Sequence, residues 1–414
     1  MTKRRVVITG LGAVTPLGLD VETTWDALLA GTSGAGPITH FDTTDFATKF
    51  ACELKGFDAE KYFEKTEVRK LDPYSHYMLA AADEAMRDCG LDRERIDLDR
   101  FGCIFGTGIG GILELELTAK VLEERGPRRI SPFFITKMIT NSSAGYAAIR
   151  YGLRGTSFAT VSACASASHA AGMALRAIQY GDADFMLTGG SEAAVTRVGI
   201  GAFCANRALS ARNDDPKTAS RPFDRDRDGF VMGEGGAALV LEEYEHARKR
   251  GATIYAELVG FGSTDDAFHI TAPKDDGGGL QRAVRAALAD AKLPLDAVDY
   301  VNAHGTSTPL NDKIETQAMK AVFGDHARRF VVNSTKSMVG HMLGGAGAIE
   351  LAVCALTLHR GQVHPTINLQ NPDPDCDLDY VAGAARDLHA RVAISNSLGF
   401  GGHNTCVVVA RLDG

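Results

Sequence analysis

Proline, paired cysteine, net positive charge and long apolar runs are all scarce in this chain. Only 13 prolines accompany 45 glycines in 414 residues, and the glycines follow no triplet period, which excludes a collagen-like chain. No stretch reaches the roughly 18–20 consecutive apolar residues that a membrane helix needs. The eight cysteines, at positions 52, 89, 103, 164, 204, 354, 376 and 406, include no CxxC pair. They point to reduced thiols in a cytoplasmic compartment, not to a disulfide framework or a zinc site. With 44 basic against 52 acidic residues the net charge is −8. That balance argues against a nucleic-acid binder working through a broad positive surface.

What is present is a globular composition, 45% hydrophobic and 23% charged. The opening MTKRRVVITGLGAVTPLG imitates a leader peptide, but Gly10, Gly12, Pro16 and Gly18 break its apolar run. Val6 to Thr9 reads better as a buried strand. Apolar runs then alternate with helical patterns near Thr23–Ala30, His76–Cys89, Ala165–Tyr180 and Leu280–Ala291, which predicts a mainly parallel sheet covered by helices. The Ala165–Tyr180 helix is small and apolar nearly all round, so it is expected to be buried. The plan is repeated after the charged stretch ending at Gly251. We therefore expect an internal duplication with halves 1–251 and 252–414.

Two motifs carry less than they suggest. Gly106-x-Gly108-x-x-Gly111 matches a dinucleotide fingerprint, but the pattern that follows carries Glu114 and Glu116 where pyrophosphate charge would fall. We read it as a glycine-rich turn lining a cavity, with Ile109 able to point into it. DRDRDGF imitates a calcium loop, yet its twelfth position is Gly235 instead of glutamate. A turn with arginine–aspartate pairing is expected there.

The chemistry concentrates elsewhere. Cys164 stands between an apolar strand and a helix, where backbone N–H groups and the helix dipole would stabilise a thiolate. Its neighbours Ser162, Ala163, Ala165 and Ser166 are small and leave room for a substrate. His304 in VNAHGTSTP and His341 in STKSMVGHMLGG occupy matched strand-to-turn positions in the second half. His169, on the helix after Cys164, reads as structural. Lys336 and Glu350 are expected to pair and to fix the field around His341. The glycines of NSLGFGGHN, around Phe400, can aim backbone donors at an oxyanion.

Together SACASASHA, NAHGTSTPLND, STKSMVGHMLGGAGAIE and NSLGFGGHN resemble the β-ketoacyl-[acyl-carrier-protein] synthases, most closely the KAS II type, over nearly the whole chain. The resemblance implies a thiolase-like duplicated five-layer α/β/α/β/α fold, assembled as a dimer. It implies an acyltransferase reaction: a decarboxylative condensation in which Cys164 holds the acyl chain and malonyl-[acyl-carrier-protein] extends it by two carbons. His304, His341 and Lys336 would serve that reaction, with Glu350 in support, and the N–H groups of Cys164 and Phe400 would hold the oxyanion. Thr306 and Thr308 match positions contacting the phosphopantetheine arm, while Ile109 and Phe203 match acyl-pocket positions. Lys65, Arg69, Lys70, Arg128, Arg129 and Arg207 match basic positions where the acidic acyl carrier protein docks. No metal and no cofactor beyond the carrier's phosphopantetheine is implied.

Three departures surround the pocket and its gate. Leu398 replaces the usual phenylalanine, His403 the usual threonine, and Cys204 a common glycine. They bear on chain length and partner more than on reaction type. The alternative reading is the ketosynthase subunit of a type II polyketide or polyene synthase, paired with a chain-length factor as a heterodimer in place of a homodimer.

Overall fold

The computed structural model describes residues 3–412, so the first two and last two residues of the expected halves lie outside the described residues. Ten strands form one sheet. The first five are β1 (Val6–Val14), β2 (Phe101–Gly106), β3 (Ser157–Thr160), β4 (Phe185–Glu192) and β5 (Gly235–Glu243). The second five are β6 (Ala256–Asp265), β7 (Tyr300–Asn302), β8 (Val331–Asn333), β9 (Val392–Gly399) and β10 (His403–Ala410). Their order is β8-β7-β9-β10-β6-β1-β5-β4-β2-β3. Taken from each outer edge inward, β3-β2-β4-β5-β1 and β8-β7-β9-β10-β6 follow one plan. The two sets meet only where β1 pairs with β6, at Val7↔Glu257 and Ile8↔Ala256.

The sheet is mixed, which corrects the expectation of a mainly parallel one. The outer pairings β3/β2, β2/β4, β8/β7 and β7/β9 are parallel, while β4/β5, β5/β1, β9/β10 and β10/β6 are antiparallel. The physical reason lies in the connections. β9 and β10 are joined by a three-residue hairpin, 400–402, and so tight a connection forces antiparallel pairing. Between β4 and β5 the helix Arg197–Ala205 is followed by a long irregular segment, 206–234, that brings the chain back into β5.

Helices complete five layers. Helices α1 (Pro73–Asp88) and α2 (Ser142–Tyr151) cover the outer face of the first half. Asp72 caps α1 by accepting from the Tyr74 N–H, and Pro73 supplies the fixed φ of its first turn. Helix α3 (Ser166–Gln179), α4 (Arg197–Ala205), α5 (Gly278–Ala291), α6 (Pro309–Phe323) and α7 (Ala346–Arg360) follow. Helices α5 and α6 cover the second half, and α3 and α7 pack against each other between the halves. Their alanines and glycines allow this central layer to be thin: a Cβ at Gly172 would lie 2.5 Å from the Phe261 ring. Thiolase-like layering and the burial of α3 match the sequence reading. Among the described residues no helix is long and apolar enough to cross a membrane.

Candidate active site

Helix α3 starts without a side-chain cap, directly after the turn that carries Cys164, and its first N–H, that of Ser166, donates back to the Ala163 carbonyl of that turn at 3.2 Å. Ala163 holds φ +49° immediately before the cysteine. That left-handed conformation is uncommon for a residue with a Cβ and turns the thiol off the strand. The turn is tied down by the Ala165 N–H to the Ser162 carbonyl and the Ser162 N–H to Ser166 Oγ, at 3.1 and 2.9 Å. His169 bridges Ser162 Oγ and Ser263 Oγ, both at 2.7 Å, so it braces this turn against the second half.

The second half brings its histidines to the same point. His341 Nε2 lies 3.0 Å from Cys164 Sγ. Its own backbone is clamped to the first half, with the His341 N–H donating to the Val231 carbonyl at 2.7 Å and the Gly233 N–H to the His341 carbonyl at 2.9 Å. The His304 and His341 rings stand edge to face at 5.4 Å between centroids. The His304 and Gly305 N–H groups each donate to Glu315 at 2.9 Å, and Asn396 donates to the same carboxylate. Nδ1 of both histidines has no protein partner, while Nε2 of His341 faces the Cys164 thiol.

Electrostatics then define the resting state. Burial pushes the Cys164 thiol up to about 12, outweighing the Lys336 charge and the N–H groups of Phe400 and Cys164, which donate towards the sulfur. This corrects the expectation of a stabilised thiolate: the dipole and amides are present, but desolvation wins. Burial first, and the Lys336 charge second, hold both His304 and His341 well below the ordinary imidazole value. The resting group is therefore a thiol beside two neutral rings at neutral pH. Lys336 pairs with Glu350, whose carboxyl burial raises to about 7.

The three ligand atoms of Cys164, His304 and His341 lie within 4.8 Å of one another, a spacing one metal ion could bridge. The positive charge of Lys336, felt by both rings, opposes a second cation there. Proton transfer between the groups suits the same spacing.

Around this cluster lies a cavity of about 570 Å³, lined by Ile109, Phe203, Arg207, Thr306, Thr308 and Phe400 among others. The Thr306 and Thr308 hydroxyls are 3.0 Å apart at its wall. At the hairpin, Gly401 and Gly402 hold φ +93° and +84°, and Phe400 beside them lines the cavity. A Cβ at Gly399 would lie 2.7 Å from the Ser162 carbonyl, so only glycine lets the Phe400 N–H approach the sulfur. The departures fall nearby: Leu398 lines the cavity, Cys204 follows Phe203 on α4, and His403 stands edge-on to His169.

Lys65, Arg69, Arg128, Arg129 and Arg207 are exposed and Lys70 is half-buried. Only Arg207 reaches the cavity. The Lys70 ammonium lies 5.8 Å over the Phe133 ring, which joins the 65–70 segment to the one following Arg128 and Arg129.

Sequence reasoning missed three residues. Phe230 packs edge-on against His341 at 5.2 Å. Glu315 was legible as a carboxylate on the buried face of α6, between Ile314 and Ala318. Glu192 ends an apolar strand with full burial, a weaker signal. In DRDRDGF, arginine–aspartate pairing is present but differently wired: Arg227 bonds Asp373 at 2.6 Å, and Asp224 takes Arg221 from outside the motif.

Residues 3–247 match the family model "Beta-ketoacyl synthase, N-terminal domain", and residues 255–370 match "Beta-ketoacyl synthase, C-terminal domain". The chain is 50% identical over 404 residues to the 3-oxoacyl-[acyl-carrier-protein] synthase 2 of Synechocystis sp., covering 98% of this chain and 97% of that one. Among solved structures it resembles the ishigamide ketosynthase/chain length factor, with TM-score 0.93 and 34% identity over 99% of this chain and 100% of that one. It also resembles AntDE:AntF, a type II polyketide acyl carrier protein in complex with its ketosynthase, with TM-score 0.91 and 36% identity over 99% and 100%.

Proposed function

Because this chain belongs to the β-ketoacyl synthase family, we propose that Cys164, His304 and His341 run the condensation of a 3-oxoacyl-[acyl-carrier-protein] synthase in fatty-acid elongation. The observation that carries the reading is the Cys164 sulfur, 3.0 Å from His341 Nε2 and facing the N–H groups of Phe400 and Cys164.

In the first step the thiol attacks an acyl thioester. Its proton passes to His341 Nε2 and on to the departing carrier thiol, leaving the acyl group on Cys164. A malonyl thioester then occupies the cavity, with Thr306 and Thr308 beside its phosphopantetheine arm. His304 and His341 donate hydrogen bonds to the thioester oxygen as the carboxylate leaves as carbon dioxide and an enolate forms. His341 accepts in one step and donates in the other, which a neutral ring free at Nδ1 allows, while His304 serves only as a donor. The enolate carbon attacks the acyl carbonyl, and the Cys164 and Phe400 amides hold the oxyanion. Collapse expels the Cys164 thiolate, which regains a proton, and frees a 3-oxoacyl chain two carbons longer. Burial, seconded by the Lys336 charge, keeps the histidines uncharged throughout. No step calls for a metal or redox cofactor.

Lys65, Arg69, Lys70, Arg128, Arg129 and Arg207 are assigned to docking of the acidic acyl carrier protein, a local patch on a chain of net charge −8. A second copy is assigned to the free sheet edge at β3, where Phe158 and Val161 are exposed. The likeness to ketosynthases with chain-length factors keeps a heterodimer as the second reading. Eight unpaired cysteines fit a reducing, cytoplasmic compartment. Reconstitution with acyl and malonyl carrier proteins tests the function: a product two carbons longer supports it, and free carbon dioxide without chain growth refutes it.

A further inference from the structure

The glycine motif set aside as a dinucleotide fingerprint is filled by the protein itself. After β2, the turn Thr107–Gly110 wraps around the Glu192 carboxylate, which ends β4 and is fully buried. Glu192 Oε1 accepts from Thr107 Oγ1 at 2.9 Å and from the N–H groups of Ile109 and Gly110 at 3.2 and 3.3 Å. Glu192 Oε2 accepts from the Gly108 N–H at 2.7 Å and the Gly344 N–H at 3.1 Å. Successive backbone amides of this kind form an anion nest. Here the anion is a side chain, so a phosphate is excluded.

The fifth donor matters most, because Gly344 belongs to the second half and follows His341 by three residues. A Cβ at Gly344 would lie 2.0 Å from the Gly108 nitrogen, so the two turns are in direct backbone contact. Each turn contributes one apolar wall to the cavity beside Cys164: Ile109 from the first and Leu343 from the second. Leu343 is held at φ +43°, a conformation that needs outside support. A carboxylate can accept from both turns at once. A glutamine, which presents donors on one side, would repel the amides it faces.

We propose that Glu192 is a positioning residue that staples the Ile109 and Leu343 turns together and thereby sets which acyl chain lengths the cavity accepts. This rests on the acyl-cysteine reading above. Loss of the staple lets the wall beside Cys164 recede, which penalises short chains that need it and relieves long ones.

The experiment compares rates of adduct formation on the parent protein, E192Q and the milder T107V, using butyryl- and palmitoyl-pantetheine with intact-mass detection. E192Q is expected to raise the palmitoyl-to-butyryl rate ratio by about tenfold, and T107V, which loses the hydroxyl's bond to Glu192 and the acceptor it offers the Gly110 N–H, by about threefold. If E192Q does not fold, T107V decides the matter alone. A ratio that is unchanged, that moves towards the short chain, or that stays constant while both rates fall overturns the proposal. A parent protein that takes up neither chain overturns the functional reading first, and this proposal with it.

Discussion

The Cys164 sulfur and His341 Nε2 sit 3.0 Å apart although 177 residues separate them in sequence. The contact crosses the boundary between the two repeated strand sets, so neither half alone contains a reactive pair. His341 is held there by backbone bonds to Val231 and Gly233, which makes the alignment a property of the joined halves.

The two histidines should separate in their effects. His304 touches the sulfur's surroundings but does not share its proton, so His304→Ala should retain acyl transfer within a few fold. Condensation should fall by about 10²–10⁴-fold, the usual contribution of a positioned proton-transfer or oxyanion group. Assaying the half-reactions separately checks this, and equal losses in both would contradict the assignment.

The pH dependence follows from burial. With the thiol raised to about 12, its thiolate fraction grows tenfold per unit across the neutral and mildly alkaline range. Alkylation of Cys164 by iodoacetamide should therefore climb with unit slope past pH ~9 without a plateau, unlike an ordinary cysteine with a pKa near about 8.5. A plateau below that point would indicate an activated thiolate. Because both rings are held well below the imidazole value, neither should give the condensation rate an inflection near that value. The Glu350 carboxyl, raised to about 7, titrates there instead, so an inflection that survives in Glu350→Gln would contradict this assignment.

Lys336 and Glu350 form a buried pair. Lys336→Met strands the carboxylate and should destabilise the fold by about 3–5 kcal/mol. The double variant Lys336→Met, Glu350→Gln should recover most of that loss in denaturant unfolding while condensation stays impaired. Equal stability of the single and double variants would mean the pair is not coupled.

Carrier docking predicts a split between substrates. Charge reversal at Arg128 and Arg129 should raise KM for an acyl carrier protein by about tenfold or more and leave KM for the matching acyl-pantetheine unchanged. Added salt should weaken carrier affinity of the parent and have little effect on the variant. A variant with unchanged carrier KM would remove these arginines from the docking surface.

Much of this was legible in the chain. Cys164 and His304 follow strands as expected, whereas His341 follows the short helix Lys336–Val339 instead of a strand. All three stood out because each precedes small residues, a local pattern that sequence records directly. The duplicated plan was visible for the same reason. Strand direction was not, because the antiparallel inner strands depend on how the 206–234 segment returns, and no periodicity encodes that path. The protonation state of Cys164 was misjudged because the dipole and amides are local, while the desolvation that outweighs them comes from both halves. Glu192 escaped notice because its five donors are scattered over residues 107–110 and 344.

The central claim is that Cys164 carries the acyl chain, and intact-mass measurement after incubation with an acyl carrier protein tests it directly. The parent should gain the mass of one acyl group per chain and lose it when malonyl carrier protein is added, while Cys164→Ala gains none. An adduct that persists in Cys164→Ala, or no adduct on the parent, would contradict the account.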